Sequence, residues 1–165
     1  MKSDSLRQFY IEQLRDLYNA ESQIVKALPK MVEKATHPAL KDAFQLHVEQ
    51  TQQHIDRLQR IFTMLGERPS GEKCKGMEGL LDEAQDTMKK HDNSDVLDAA
   101  MIAMAQRVEH YEMAGYGCVR TYANTLGLSD QAQILQETLT EEGETDHKLT
   151  AIAEDVVNAD ALRAG

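Results

Sequence analysis

Three segments of the chain carry acidic side chains at spacings that could do chemistry together. In QRVEHYEMAGYG, residues 106 to 117, Glu109 and Glu112 stand three apart, with Tyr116 four further on. Glu142 and Asp146 stand four apart in a later segment, and Glu21 lies in LYNAESQ near the start. Spacings of three and four put residues on one side of a helix, so each segment offers carboxylates in one direction. On a solvated face such acids are ion-pair partners and nothing more. In a core they cost several kcal/mol each in desolvation unless protons or cations neutralise them. Two divalent cations, held by carboxylate oxygens with a histidine nitrogen as a neutral ligand, are the chemistry these residue types suit.

The elements needed to position them are long helices. The 165-residue chain has three prolines, nine glycines, no tryptophan and 41% hydrophobic residues, a balance that favours helix over strand. Its length suits a single domain, residues 1–165, able to bury a core. Asp4 is placed to cap a first helix that continues to about Ala35, with a kink or local narrowing expected at Pro29. A second helix reads from Leu40 to Leu65 and stops at Gly66. The loop-like ERPSGEKCKG opens a long crossover, which holds a short helix from Met77 to about His91. Ser94 or Asp95 then caps a third long helix ending at Gly127, and a fourth follows Ser129 to about Asn158. Two hairpins joined by a long crossover make an all-α, ferritin-like four-helix bundle, with a short extra helix between the second and third long helices.

The formal net charge of -10 leaves no basic surface for nucleic acid and disfavours anionic membranes. No apolar run approaches the roughly 18 residues of a transmembrane segment, and MKSDSLRQFYIEQL lacks the apolar stretch of a secretory leader. A cytoplasmic protein without nucleic-acid or membrane partners is expected. Cys74, in a polar GEKCKG loop, and Cys118 read as free thiols.

Helical phase decides which acids face inward, because each residue turns the side chain by about 100°. Glu21 shares the stripe of Leu14, Leu17, Ile24 and Leu28. Glu109, Glu112 and Tyr116 share that of Ile102, Ala105 and Val119. Glu142 and Asp146 fall with Leu135, Leu139, Leu149, Ala153 and Val156. On the second helix His47 and His54 border the apolar face; His54 is the better nitrogen donor, and Gln50, one turn before it, is its oxygen partner. Tyr116 is either a packed aromatic with a hydrogen-bonded tip or a redox-active neighbour of the ligands. The same phase sets aside Glu49, His110 and the Glu144–His147 string, which point away from their apolar stripes.

At these residues the chain resembles the YciF-type stress-response proteins, a bacterial family of ferritin-like four-helix bundles. LYNAESQ, HVEQTQQHIDRL, KCKGMEGL, QRVEHYEMAGYG and ETLTEEGETDHKLT carry the resemblance over nearly the whole chain. More distantly it is similar to the rubrerythrins. The resemblance implies a dinuclear metal site, iron with manganese as the alternative, in a cytoplasmic homodimer. It places Glu21, Glu109, Glu112 and Glu142 as ligands, with Asp146 where many relatives have histidine. The second helix departs from the family pattern, with Gln50 in place of a glutamate and Gln52 where a Glu-x-x-His motif beginning at Glu49 would need histidine. A rubredoxin domain would need four cysteines, so electrons would come from an external donor.

The expected function is therefore a di-metal carboxylate protein that reacts with peroxide or dioxygen, with peroxidase, catalase-like and ferroxidase outcomes open. The alternatives are a non-catalytic acidic helical dimer without redox metal, and iron storage in a shell.

Overall fold

The computed structural model describes residues 2–92 and 94–164, with side chains from Ser5 onward. Every regular element among the described residues is helical. Helix α1, Lys2–Lys34, buries Tyr10, Leu14, Leu17, Ile24 and Leu28 along one stripe, as a 3.6-residue period requires. It begins before Asp4, whose proposed capping side chain lies outside the described residues. Pro29 sits inside α1 without ending it, although its ring removes the N–H that would reach the Val25 carbonyl.

Helix α2, Pro38–Leu65, starts two residues before the expected Leu40. Proline suits a first turn, where its missing N–H has no intrahelical partner to lose. His37 caps this end, its Nδ1 accepting the Ala39 N–H at 3.2 Å. Gly66 ends α2 at φ 69°, a left-handed conformation that glycine adopts without a Cβ penalty.

Helix α4, Leu97–Thr125, is tied to the α1–α2 turn by its second residue. The buried Asp98 carboxylate accepts the Thr36 N–H at 2.9 Å, the Thr36 hydroxyl at 2.7 Å and the His37 N–H at 2.7 Å. The start of α4 is thus held at the end of the bundle where α2 begins, so the crossover from the far end of α2 must travel the bundle's length. Neither Ser94 nor Asp95 caps α4. Val96 precedes the helix without a side-chain cap, and the Ser94 hydroxyl donates to the His91 carbonyl instead.

Inside the crossover, helix α3, Lys75–Lys90, packs on α1 and α4. Cys74, expected in a polar loop, is fully buried at the start of this helix. Its sulfur accepts the Met77 N–H and lies 3.0 Å from the Tyr111 hydroxyl, while Asn19 accepts its N–H. The polar letters around it conceal a thiol used as a helix cap against an apolar wall. Both cysteines are free, and Cys118 is exposed.

Helix α5, Ser129–Ile152, runs through a π turn, Ala153–Val157, into α6, Asn158–Ala164. The wider turn shifts the phase of the residues beyond it. Val157 is consequently buried and the expected Val156 only partly so. Helix α1 packs on α2 and α4, and α5 packs on α4 and α2, giving the four-sided, ferritin-like arrangement. Two apolar clusters fill it, one around Ile24, Phe44, Met101 and Leu149, the other around Tyr10, Leu58, Phe62 and Leu135. On each long helix the residues between those clusters include the polar side chains singled out above.

Replacing Asp98 by alanine should remove three hydrogen bonds to a buried carboxylate and cost about 3 kcal/mol. In urea unfolding monitored by circular dichroism, Asp98→Asn should lose less than Asp98→Ala. Equal stability of Asp98→Ala and the parent would show that the turn is held by something else.

Candidate metal centre

The middle of the bundle gathers Glu21 from α1, His47 and His54 from α2, Glu109 and Glu112 from α4, and Glu142 from α5. All six side chains are buried. Two sets offer ligand atoms within 4.8 Å of one another: Glu21, His54 and Glu142, and His47, Glu109 and Glu142. Glu142 belongs to both. His54 Nδ1 lies 3.2 Å from Glu21 Oε1 and 3.0 Å from Glu142 Oε1, and His47 Nε2 lies 2.9 Å from Glu109 Oε1. These short approaches do not have hydrogen-bond alignment: both nitrogens remain without a hydrogen-bond partner. Nine buried polar atoms of these six residues are unpartnered, including both oxygens of Glu112 and both of Glu142. Buried polar atoms are ordinarily satisfied. Glu112 with Glu21 and Glu109 with Glu142 can bond to each other only while one of each pair keeps its proton; once ionised, these atoms are disposed as metal ligands are, and oxygen with imidazole nitrogen suits iron or manganese.

The outer sides of these side chains are better held. The Tyr116 hydroxyl donates to Glu21 Oε1 at 2.6 Å. His54 Nε2 meets Glu141 Oε2 at 2.8 Å, and Arg57 grips both oxygens of Glu141 at 2.7 Å each.

Burial and mutual repulsion sort the titrating groups. Burial pushes Glu109 up to about 7. Burial, with the charges of Glu21 and Glu142, drives Glu112 well above the usual carboxylate range, and burial with Glu109 does the same to Glu142. Burial also opposes ionisation of Glu21, but the neighbouring His54 and the Tyr116 hydroxyl hold its pKa below the ordinary value. For His54, burial is outweighed by Glu21, Glu141 and Glu142, which push it up to about 12. Burial lowers His47. The Arg57 fork brings Glu141 down to about 2. Without metal the cluster is thus closest to one ion pair, Glu21 with His54, surrounded by acids that favour their protons.

The structure brings together Glu21, His54, Glu109, Glu112 and Glu142, with Tyr116 bonded to Glu21. Two expected ligands stand apart. Asp146 is only partly buried, 3.3 Å from His110 Nε2, and accepts from Gln106 at 3.2 Å. The buried face of α5 centres on Leu135, Thr138, Glu142 and Leu149, and Asp146 lies roughly 40° round from Glu142. Leu139, half-buried on that same flank, draws the apolar stripe read from the sequence toward it. Gln50 is also only partly buried, and its Oε1 accepts the Thr145 hydroxyl at 3.4 Å. His47 stands in its place at the cluster. The missed signal was the series Phe44, His47, Thr51, His54, Leu58, a stripe of three- and four-residue steps whose members are all buried. Glu141 and Arg57 gave no signal beyond ordinary surface charge. Glu49, Glu144 and His147 are exposed, as is most of the His110 side chain.

Residues 5–162 match the family described as "Domain of unknown function (DUF892)". Protein YciF of Escherichia coli K12 is 39% identical over 162 residues, 98% of each chain. Among solved structures, the E. coli stress protein YciF is similar with a TM-score of 0.88 at 40% identity, over 93% of this chain and 97% of that one. YcfI from Rhodopseudomonas palustris gives 0.87 at 43% identity, over 90% and 94%. A protein from Xanthomonas campestris gives 0.76 at 25%, over 96% and 97%.

The titration pattern makes a prediction for chelator-treated protein. Glu109, Glu112 and Glu142 hold protons in the folded chain that the unfolded chain has released above about pH 4.5, so stability falls as pH rises through that range. His54 acts in the same direction, its contribution being complete below about pH 6.5 and fading toward its raised value; the lowered His47 opposes this by one proton at most. The melting temperature of metal-free protein should therefore be higher at pH 5.5 than at pH 8. Calorimetric scans showing the reverse would mean that these acids are ionised in the folded state without metal.

Proposed function

The chain belongs to the DUF892, YciF-type family, and on that premise we propose that it is a stress-response protein whose core holds two metal ions, iron or alternatively manganese, and reacts with peroxide or dioxygen. The observation that supports this reading is the set of nine unpartnered donor atoms on six buried side chains from four helices. Glu21, His54 and Glu142 would hold one ion and His47, Glu109 and Glu142 the other, with Glu112 offering two further oxygens. When bound, a redox-active metal pair supplies the electrons that reduce an O–O bond.

The residues around it have definable parts. Glu142 belongs to both donor sets, so it would serve both ions. Tyr116 fixes Glu21 by its hydrogen bond and lies beside the cluster as a phenol able to give a proton or an electron. The apolar layers on either side keep bulk water from the acids. With two cysteines in the chain there is no rubredoxin-type centre, so reducing equivalents come from a separate donor. Free thiols accord with a cytoplasmic setting, and a homodimer is the assembly this reading carries. No described helix is long and apolar enough to cross a membrane.

A second reading is a non-catalytic helical module. It is favoured by the charge balance that protonation and the Glu21–His54 pair give without metal, and a structural role has been put forward for YcfI.

Metal analysis after purification without chelator, then anaerobic Fe(II) loading and exposure to peroxide or dioxygen, separates the two. The metal reading expects about two equivalents bound and an absorbance change on oxidation, with Glu112→Ala and Glu142→Ala each failing to retain the second equivalent. Absence of bound metal together with an unchanged spectrum would favour the helical module. Full two-metal binding by both variants would remove these residues from the site.

A further inference from the structure

We infer that the two halves of the cluster are unequal: the half built on His54 takes a divalent cation first and more tightly, the half built on His47 takes the second, and Glu141 with Arg57 sets the difference. This rests on the metal-binding reading above. An imidazole binds a metal through the lone pair of one nitrogen while its proton sits on the other, so whatever bonds the outer nitrogen decides which way the ring is presented.

His54 is fully specified in this respect. Its Nε2 donates to Glu141 Oε2 at 2.8 Å, leaving Nδ1 directed at Glu21 and Glu142; the proton Nδ1 carries in the metal-free ion pair is released to solvent as a cation takes that position. Glu141 is itself held in a two-toothed grip by Arg57, whose Nη1 also reaches the Thr138 hydroxyl at 3.3 Å. A bidentate guanidinium–carboxylate pair is a stiff, directional support. The ring is therefore oriented before any ion arrives.

His47 has no carboxylate brace of this kind behind it. Both ring nitrogens are buried without a hydrogen-bond partner. The Gln50 side chain comes close enough to favour a proton on the ring but without hydrogen-bond alignment, its Oε1 accepting the Thr145 hydroxyl at 3.4 Å, and Glu109, 2.9 Å away, faces the inner nitrogen. The ring must settle its proton and its angle as the cation binds. Outer partners of ligating histidines are typically worth about 10- to 100-fold in metal affinity, and an aligned, charged partner of this kind stands behind His54 alone of the two. Glu141 and Arg57 touch no ion. They are positioning residues, and because both are partly exposed their replacement should leave the packed core in place.

The test titrates chelator-treated protein with Zn²⁺, following heat by calorimetry and the histidine ring nitrogens by ¹⁵N NMR. The parent chain should show two events separated roughly 10- to 100-fold, with the His54 resonances moving in the first and those of His47 in the second. Glu141→Ala should weaken the first event toward the second without changing the second. Arg57→Met, which keeps the stem and removes the fork, should do the same in part, with unchanged helical circular dichroism in both. Two equal events, or His47 responding first, would overturn the inequality while leaving the metal reading intact. An unchanged first event in Glu141→Ala would overturn the role of Glu141. Failure of the parent to bind Zn²⁺ at all would overturn the metal reading and this inference with it.

Discussion

Holding ionisable oxygens out of water is the constraint around which this bundle is built. Four carboxylates and two imidazoles are buried at one level of four helices, where each ionised group would cost several kcal/mol if left alone. Two compensations are visible. Tyr116 and His54 support Glu21, and Glu141 with Arg57 supports His54 from the rim. The remaining acids have only their protons or a cation to turn to, and their pKa values rise accordingly. A protein selected only for stability has no reason to keep such a cluster, since apolar residues of similar volume would fill the space at lower cost.

The rest of the architecture reflects the need to bring four helices to that level. Asp98 fastens α4 to the turn between α1 and α2, which sets the axial position of Glu109 and Glu112 relative to Glu21 and the histidines. Tyr111, between those two acids in sequence, reaches Cys74 and Asp16 and so pins the crossover against the same stretch of α4. Gly76 lets Tyr111 approach, as a Cβ there would meet its ring at 2.7 Å. On the far side, the π turn after Ile152 rephases the end of α5 without disturbing Glu142 two turns and more upstream.

The chain is similar to YciF over nearly all of its length. The two halves of its buried polar level differ in how they are supported. One histidine is braced through a carboxylate and a guanidinium to the surface, and the other has only an unaligned amide beside it. Two rings of the same type, seven residues apart on one helix, thus have different chemistry because of what α5 places behind them.

Much of this was legible in the sequence. Long apolar periodicities with few prolines specify helices, Gly66 and the ERPSGEKCKG stretch mark where α2 ends and the crossover begins, and phase alone assigns Glu21, Glu109, Glu112, Tyr116 and Glu142 to the interior. These are local properties, since a residue's direction on its own helix depends only on the turn per residue and the apolar stripe. Phase was insufficient where a side chain lies near the border of a stripe. There the neighbouring helix decides, and it decided for His47 over Gln50 and against Asp146. The brace of Glu141 and Arg57, the contact of Cys74 with Tyr111 and the bonds to Asp98 join residues 37 to 84 positions apart in sequence. No periodicity within one helix encodes such pairs; they exist only once the packing of four helices has fixed which faces meet.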